Sequence, residues 1–370
     1  MLSRLKSWFG GPRRSETSAH SAVPALALPE DCWFADARLP IPDWRAVAAL
    51  EPEDESARDA FWRSAAVGWL EQLGAALGDE FEVAQSAHFA LLAPWPARER
   101  QVALDFAERS RRRIRRALDG VASDNGYGPI VIVVFDTIDH YYDYVDHYYP
   151  SEGVFAMSGG MFIDAGYGHF VFTAEDLAQM EPVLVHELTH AQLRNLELPR
   201  WLDEGAAVNM EKHLLPQMAD PRRSLYAPHE MADKHAAFWD AQTIQEFWTG
   251  HSFLRPDDGN LLSYDLAERL TQLLGRDFLR YASLLNRADA RDGGATALQQ
   301  AFGLSAGDLI AEVLGPGPWE PQPADWAAVE AQAVSRAQQL AAALPDDADD
   351  VDHGEPATAG THRHDALASS

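Results

Sequence analysis

His186-Glu187-Leu188-Thr189-His190 sets two imidazoles four residues apart, with a carboxylate beside the first. On an α-helix, side chains at that spacing stand nearly one above the other, so both rings can reach a single cation. Zinc accepts neutral imidazole nitrogen and tolerates the tetrahedral arrangement that results. Glu187 lies about 100° round the helix from His186, where it can approach water at the metal without being a ligand. Zinc lowers the pKa of such water to about 7. A neighbouring carboxylate can then take the proton as the water attacks a carbonyl carbon, and pass it to the leaving amine. The spacing therefore predicts metal-assisted hydrolysis, with His186 and His190 as ligands and Glu187 as general base.

With 14 histidines in 370 residues, the bare pattern arises by chance in roughly a few per cent of such chains, so its neighbourhood matters. Val183, Leu184, Val185 and Leu188 make the remaining faces apolar. A helix buried on those faces while carrying two His and a Glu needs polar partners, and a metal supplies one. The alternative is two histidines hydrogen-bonded within a core. A catalytic zinc needs a third protein ligand and one open position. Glu204, in Pro199-Arg200-Trp201-Leu202-Asp203-Glu204-Gly205-Ala206, follows His190 by 14 residues. That length accommodates the rest of a helix, a tight turn at the proline and a second helix packed on the first. Gly205 and Ala206 would let those two helices approach closely. The alternative is a surface Glu204 beside a buried Trp201.

The elements that must position these groups are legible in outline. Phe61, Ala65, Trp69, Leu73 and Leu77 recur at four-residue steps and predict an amphipathic helix over 55–77. FEVAQSAHFALLA reads as one or two strands, and Ala97 to Leu118 as a long helix. That helix carries Arg109, Arg111, Arg112, Arg113, Arg115 and Arg116, expected to form a solvated face paired with nearby carboxylates. IVIVVF (Ile130 to Phe135) reads as a buried strand, HYYDYVDHYYP as an aromatic loop, and SGGMFIDAGYGHFVFTA as strands broken by Gly-rich turns. A helix starting near Pro182 carries the HELTH segment, Pro199 stops it, and another begins near Trp201. Helices then continue to about Leu314. These readings divide the chain into a flexible lead-in over 1–54, an α/β part over 55–200, a helical part over 201–320 and a disordered acidic tail over 345–370.

The formal net charge is −27, with hydrophobic residues at 46% and charged residues at 24%. The composition is globular, and so acidic a chain is repelled by phosphate backbones and anionic lipid, which argues against nucleic acid as a partner. The single cysteine, Cys32, allows no intramolecular disulfide, so any metal site must use His and carboxylates. No apolar run reaches the length of a membrane span or a secretory signal, and a cytoplasmic location is expected. Leu2, Leu5, Trp8 and Phe9 could share a face of a short surface-resting helix, although a frayed terminus is the simpler expectation.

The pair HELTH and WLDEGAA resembles the gluzincin metallopeptidases, and among them the peptidase-MA-like group of bacterial proteins. In that family a helix bearing HExxH is followed by one bearing a W-L-x-E-G-type sequence, whose glutamate is the third zinc ligand. The resemblance implies one zinc ion per chain held by His186, His190 and Glu204, Glu187 as general base, and a peptide or protein substrate. Ser86-Ala87-His88-Phe89, the following long helix and IVIVVF resemble the family's upstream half. Ser263-Tyr264-Asp265-Leu266-Ala267-Glu268-Arg269-Leu270 with LLGRDFL is similar to its tyrosine-bearing helix. Tyr264 is thereby a candidate donor to the tetrahedral oxyanion, a contribution of several kcal/mol in such sites; the alternative is a core tyrosine. The likeness covers about residues 80 to 315. The interval from HELTH to Glu204 is shorter than in thermolysin-like and aminopeptidase-like members, and no substrate-amine motif precedes HELTH. The GYGHFVF strand could pair with an extended peptide as an added strand; His169 there could face the site, although an ordinary strand residue is the simpler reading.

These readings predict an α+β, zincin-like fold, a mixed sheet packed on the HExxH helix followed by a mainly helical part. The function they predict is zinc-dependent hydrolysis of peptide bonds. The competing readings are an inactive zincin-fold binding or scaffold protein with structural zinc or none, and hydrolysis of a non-peptide bond by the same chemistry.

Overall fold

The computed structural model describes residues 23–124, 126–149, 160–163, 165–174, 177–219 and 225–343. The chain forms two compact units, the first ending at Pro323 and the second starting at Ala324.

The first unit opens with α1 (Trp44–Ala48) and α2 (Glu55–Leu77). Asp43 and Asp54 cap these helices, each accepting a backbone N–H two residues on at 3.0 Å. Next come β1 (Glu82–Gln85), β2 (Phe89–Ala93), α3 (Ala97–Ala117), β3 (Ile130–Phe135), α4 (Ile138–Tyr148), β4 (Gly160–Ile163) and β5 (His169–Thr173). Helices follow: α5 (Leu177–Leu193), α6 (Arg200–Leu214), α7 (Pro228–Phe238), α8 (Thr243–Thr249), α9 (Asp258–Leu274), α10 (Phe278–Leu285), α11 (Ala295–Phe302) and α12 (Ala306–Leu314). The second unit contains α13 (Trp326–Ala343).

The five strands form one mixed sheet in the order β1-β2-β3-β5-β4. The central β2, β3 and β5 run parallel, and the outer β1 and β4 are antiparallel to their neighbours. Parallel strands joined by helical crossovers are covered on both faces, which is why IVIVVF and FALLA are apolar without alternation. Alternate side chains define the two layers. Ala90, Leu92, Val131, Val133 and Val171 join Trp69, Leu70 and Leu73 of α2 and Tyr141 and Tyr144 of α4 in one core. The opposite set, Phe89, Leu91, Ile132, Val134, Phe170 and Phe172, is equally buried. On that side α3 packs against β2 and α5, and α5 against β4 and β5. Farther from the sheet, α6 lies between α5 and α9. The fold is therefore α+β, with a mixed sheet on the helix that carries HELTH and a mainly helical second half.

Several expectations are corrected. The lead-in over 1–54 is built into the core within its described part: Cys32, Ile41, Trp44 and Val47 are buried. Leu26 N donates to Ser64 O at 2.9 Å, and a side chain at Gly68 would strike the Leu26 carbonyl at 1.9 Å. The apolar residues of this segment follow no helical or strand period, so pattern reading passes over them. Residues 55–200 and 201–320 lie within one compact unit. The aromatic loop after β3 is the helix α4. Thr137 caps it, and Tyr141, Tyr144 and Val145 fill its inward stripe. Ser86 to His88 form the turn between β1 and β2 instead of continuing a strand. The HELTH helix starts at Leu177, with Pro182 inside it. A proline there forgoes one backbone hydrogen bond in the opening turns. The tail over 345–370 and the apolar residues at 2–9 lie outside the described residues.

Of the arginine run, Arg109, Arg112 and Arg116 are exposed, while Arg111 and Arg115 both pair with Asp124. Arg113 instead reaches α6, donating to Leu214 O at 3.2 Å and His213 O at 3.4 Å. A cation on the terminal carbonyls of α6 complements its dipole and ties α3 to the helix that carries Glu204.

Candidate metal centre

Two successive helices build the site. On α5, Leu184, Val185 and Leu188 are buried while His186, Glu187 and His190 are half-buried. On α6, Trp201 is fully buried and its Nε1 donates to Gly293 O at 2.9 Å. Gly205 clears α9: a Cβ there would lie 2.5 Å from Ala267 O and 2.6 Å from Thr271 Oγ1. Asn209 bridges the same gap, donating to Glu268 O at 2.9 Å and Thr271 Oγ1 at 2.8 Å. The expectation that Gly205 brings α6 close to the HELTH helix is thus corrected. Its missing side chain serves the α6–α9 contact, and Glu204 points the other way, toward α5.

Glu204 is 6% exposed. Its Oε2 lies 3.3 Å from His186 Nε2 and 3.4 Å from His190 Nε2, and the two Nε2 atoms are 3.0 Å apart. The outer ring nitrogens fix the tautomers. His186 Nδ1 is hydrogen-bonded to Glu211 Oε1, and His190 Nδ1 is 2.8 Å from Asp203 Oδ2. His186 Nδ1, bonded to a carboxylate, carries the proton in the neutral ring and leaves the Nε2 lone pair inward; at His190 the nearby Asp203 carboxylate favours the same tautomer by charge, without an aligned hydrogen bond. Two lone pairs and a carboxylate oxygen then converge on one point. Glu204 Oε2 is buried without an aligned hydrogen bond among the described residues, despite its two close neighbours. Arg200 neutralises the other oxygen, Oε1, at 3.3 Å, so the inward Oε2 is the atom left to meet a further cation or donor.

The electrostatics say the same. Burial opposes charging of His186, yet the Glu204 and Glu211 carboxylates raise its pKa to about 9. Burial is likewise overcome at His190, where Asp203 and Glu204 push the imidazole well above its ordinary range. At Glu204 burial would favour the neutral acid, but the two imidazoles hold the carboxyl well below the usual carboxylate range. A proton is the cation the ligand set attracts when only protein charges are counted. A metal ion answers the same demand while leaving both rings neutral. His186, His190 and Glu204 form a group able to hold a metal ion, with donor atoms within 4.8 Å of one another.

Glu187 is raised by burial, against the pull of His190 and His186. Tyr264, on α9, packs edge-on against Phe253 with ring centroids 5.2 Å apart. Burial first, and then the Glu204 carboxylate, push its hydroxyl upward, with a further contribution from Glu187. Tyr264 thus lies within the field of the same carboxylates. Arg200 Nε is 3.3 Å from Glu204 Oε1, one turn along α6, which leaves Oε2 for the imidazoles.

Asp203, Glu211 and Arg200 were not singled out in the sequence. Glu211 follows Glu204 by seven residues, two helical turns, so it shares a face with it. That spacing was the available signal. His169 does not face the site. It is fully buried under the sheet, bonded to Tyr144 Oη at 2.8 Å and Tyr167 O at 2.7 Å, and burial lowers its pKa to about 4. Its strand, β5, lies between β3 and β4 and offers no free edge. The outer strand on the α5 side is β4.

The chain matches no protein-family model and no curated protein. Among the described residues, no helix is long and apolar enough to cross a membrane.

Proposed function

We propose that the chain is a zinc-dependent metallopeptidase with a gluzincin-like site. The observation that carries this reading is the convergence of His186 Nε2, His190 Nε2 and Glu204 Oε2, with both outer ring nitrogens tied to carboxylates. Zinc–ligand bonds of 2.0–2.1 Å in a tetrahedron imply donor separations of about 3.3 Å. The observed separations of 3.0, 3.3 and 3.4 Å match that edge length. The donor set of two imidazoles and one carboxylate suits zinc and leaves a fourth position for substrate or water.

A zinc ion held there would polarise a substrate carbonyl and acidify water beside it. Asp203 and Glu211 keep the two imidazoles in the ligating tautomer. Glu187 accepts the proton of the attacking water and returns it to the departing amine; its raised pKa brings it closer to neutrality, where such a base works best. Tyr264, whose hydroxyl is pushed further upward by burial and by the Glu204 carboxylate, would donate a hydrogen bond to the developing oxyanion. The outer edge of β4 is suited to hold an extended peptide by main-chain pairing beside the HELTH helix.

The test is Glu187→Gln. This variant should bind zinc like the wild type while peptide hydrolysis falls by about 10²–10⁴-fold. Undiminished hydrolysis would remove Glu187 from the mechanism. Hydrolysis absent from the zinc-loaded wild type across a diverse peptide library would favour a non-catalytic zincin-fold binding protein.

A further inference from the structure

A cavity of about 700 Å³ opens where α1, α2, the loops preceding β3 and β5, and the last turn of α5 meet. None of the proposed metal ligands lines it. Its volume falls in the range of small-molecule sites.

One wall is aromatic. Trp44, Trp62 and Tyr167 face one another with ring centroids 5.1, 5.9 and 6.2 Å apart. Two glycines at positive φ permit that wall. A Cβ on Gly166 would lie 2.2 Å from Trp44 Cδ1, and one on Gly128 would lie 2.6 Å from Tyr167 Oη. The lining is also rich in arginine. In a chain with 57 acidic residues against 30 basic ones, Arg45, Arg63, Arg111 and Arg194 all contribute, and no lysine does among the described residues. The nearby carboxylates are engaged: Asp124 by Arg111 at 2.9 Å, Asp59 by Gly128 N at 3.0 Å and Glu51 by Trp62 Nε1 at 2.8 Å. Arg45 is exposed and makes no ion pair among the described residues. Finally, Gln192 belongs to the lining yet is 2% exposed, and neither its amide nitrogen nor its amide oxygen has a partner among the described residues. Buried amides are normally satisfied, so this one points to a missing partner.

We propose that this cavity binds a purine nucleotide. A flat ring fits against the aromatic wall by stacking. A purine edge offers an acceptor beside a donor, which the Gln192 amide, closed off from the cavity, would meet on turning toward it. A phosphate matches the unengaged Arg45 guanidinium, and a local arginine cluster is what lets so acidic a chain accept an anion.

The experiment titrates the full chain with AMP, followed by tryptophan fluorescence and calorimetry. Adenosine, inorganic phosphate and N-acetyltryptophan are run as separate probes. AMP should bind saturably with one site per chain and quench the tryptophans. Arg45→Gln, on an exposed side chain, should weaken AMP by about tenfold or more and leave adenosine unchanged. Gln192→Leu should weaken both AMP and adenosine. Absence of AMP binding at concentrations on the order of 1 mM would overturn the proposal. So would AMP affinity indifferent to Arg45→Gln, or binding of N-acetyltryptophan without AMP.

Discussion

Replacing Glu211 asks whether His186 is held as a ligand or is merely a buried base. The Glu211 carboxylate hydrogen-bonds to His186 Nδ1, with the two side chains 17% and 16% exposed. A hydrogen bond to a charged acceptor in such a place is worth about 1.5–3 kcal/mol, against about 0.5–1.5 for a neutral one. Glu211→Gln keeps an acceptor, and therefore the tautomer, but loses the charge. The loss of about 1 kcal/mol should weaken zinc by roughly fivefold. Glu211→Ala loses both, and removal of such an outer partner costs about 10–100-fold in metal affinity. The assay is competition for zinc against a chromophoric chelator at fixed pH. Glu268→Gln serves as the control, because Glu268 pairs with Lys212 at 2.5 Å instead of with a ligand imidazole and should leave affinity within about twofold. Zinc binding within twofold of wild type in Glu211→Ala would refute the reasoning, as would a Gln variant weaker than the Ala variant.

Two other perturbations probe the scaffold. Gly205→Ala should force α6 and α9 apart and destabilise the fold by about 1–3 kcal/mol, read as a lower denaturation midpoint; an unchanged midpoint would contradict the close α6–α9 approach. His169 is buried neutral, with a pKa of about 4 in the fold against about 6.5 in the unfolded chain. As pH falls the unfolded chain takes up this proton first. Stability from this group is therefore complete above about pH 6.5 and declines toward pH 4, by about 3 kcal/mol in all. His169→Gln should flatten that part of the stability-versus-pH curve relative to wild type, and identical slopes would refute the assignment.

What the sequence made legible was local. The stripe from Phe61 to Leu77 delimits α2, IVIVVF delimits β3, and the four-residue spacing in HELTH puts two imidazoles on one helix face. What it hid was set by contacts between distant segments. Leu26, Cys32 and Ile41 follow no period because they fill gaps against α2 and its neighbours. Gly205 carried the right signal, close approach, but local sequence does not say which helix approaches. The β5 strand has the composition of an edge, with glycines before it, yet β4 pairs outside it. At α4 the inward tyrosines do follow a helical period, but the density of aromatic and acidic residues obscured it. Asp203 and Glu211 became meaningful only once Nδ1 of each imidazole had a direction.

The most direct test of the metal centre is zinc content per chain, measured by elemental analysis. Wild type and Glu204→Ala would be purified without chelator and equilibrated at the same buffered free zinc. The convergence of three donors predicts about one zinc per wild-type chain and a large loss in the variant while its fold persists. A wild type without zinc, or a variant that retains as much as the wild type, would contradict it.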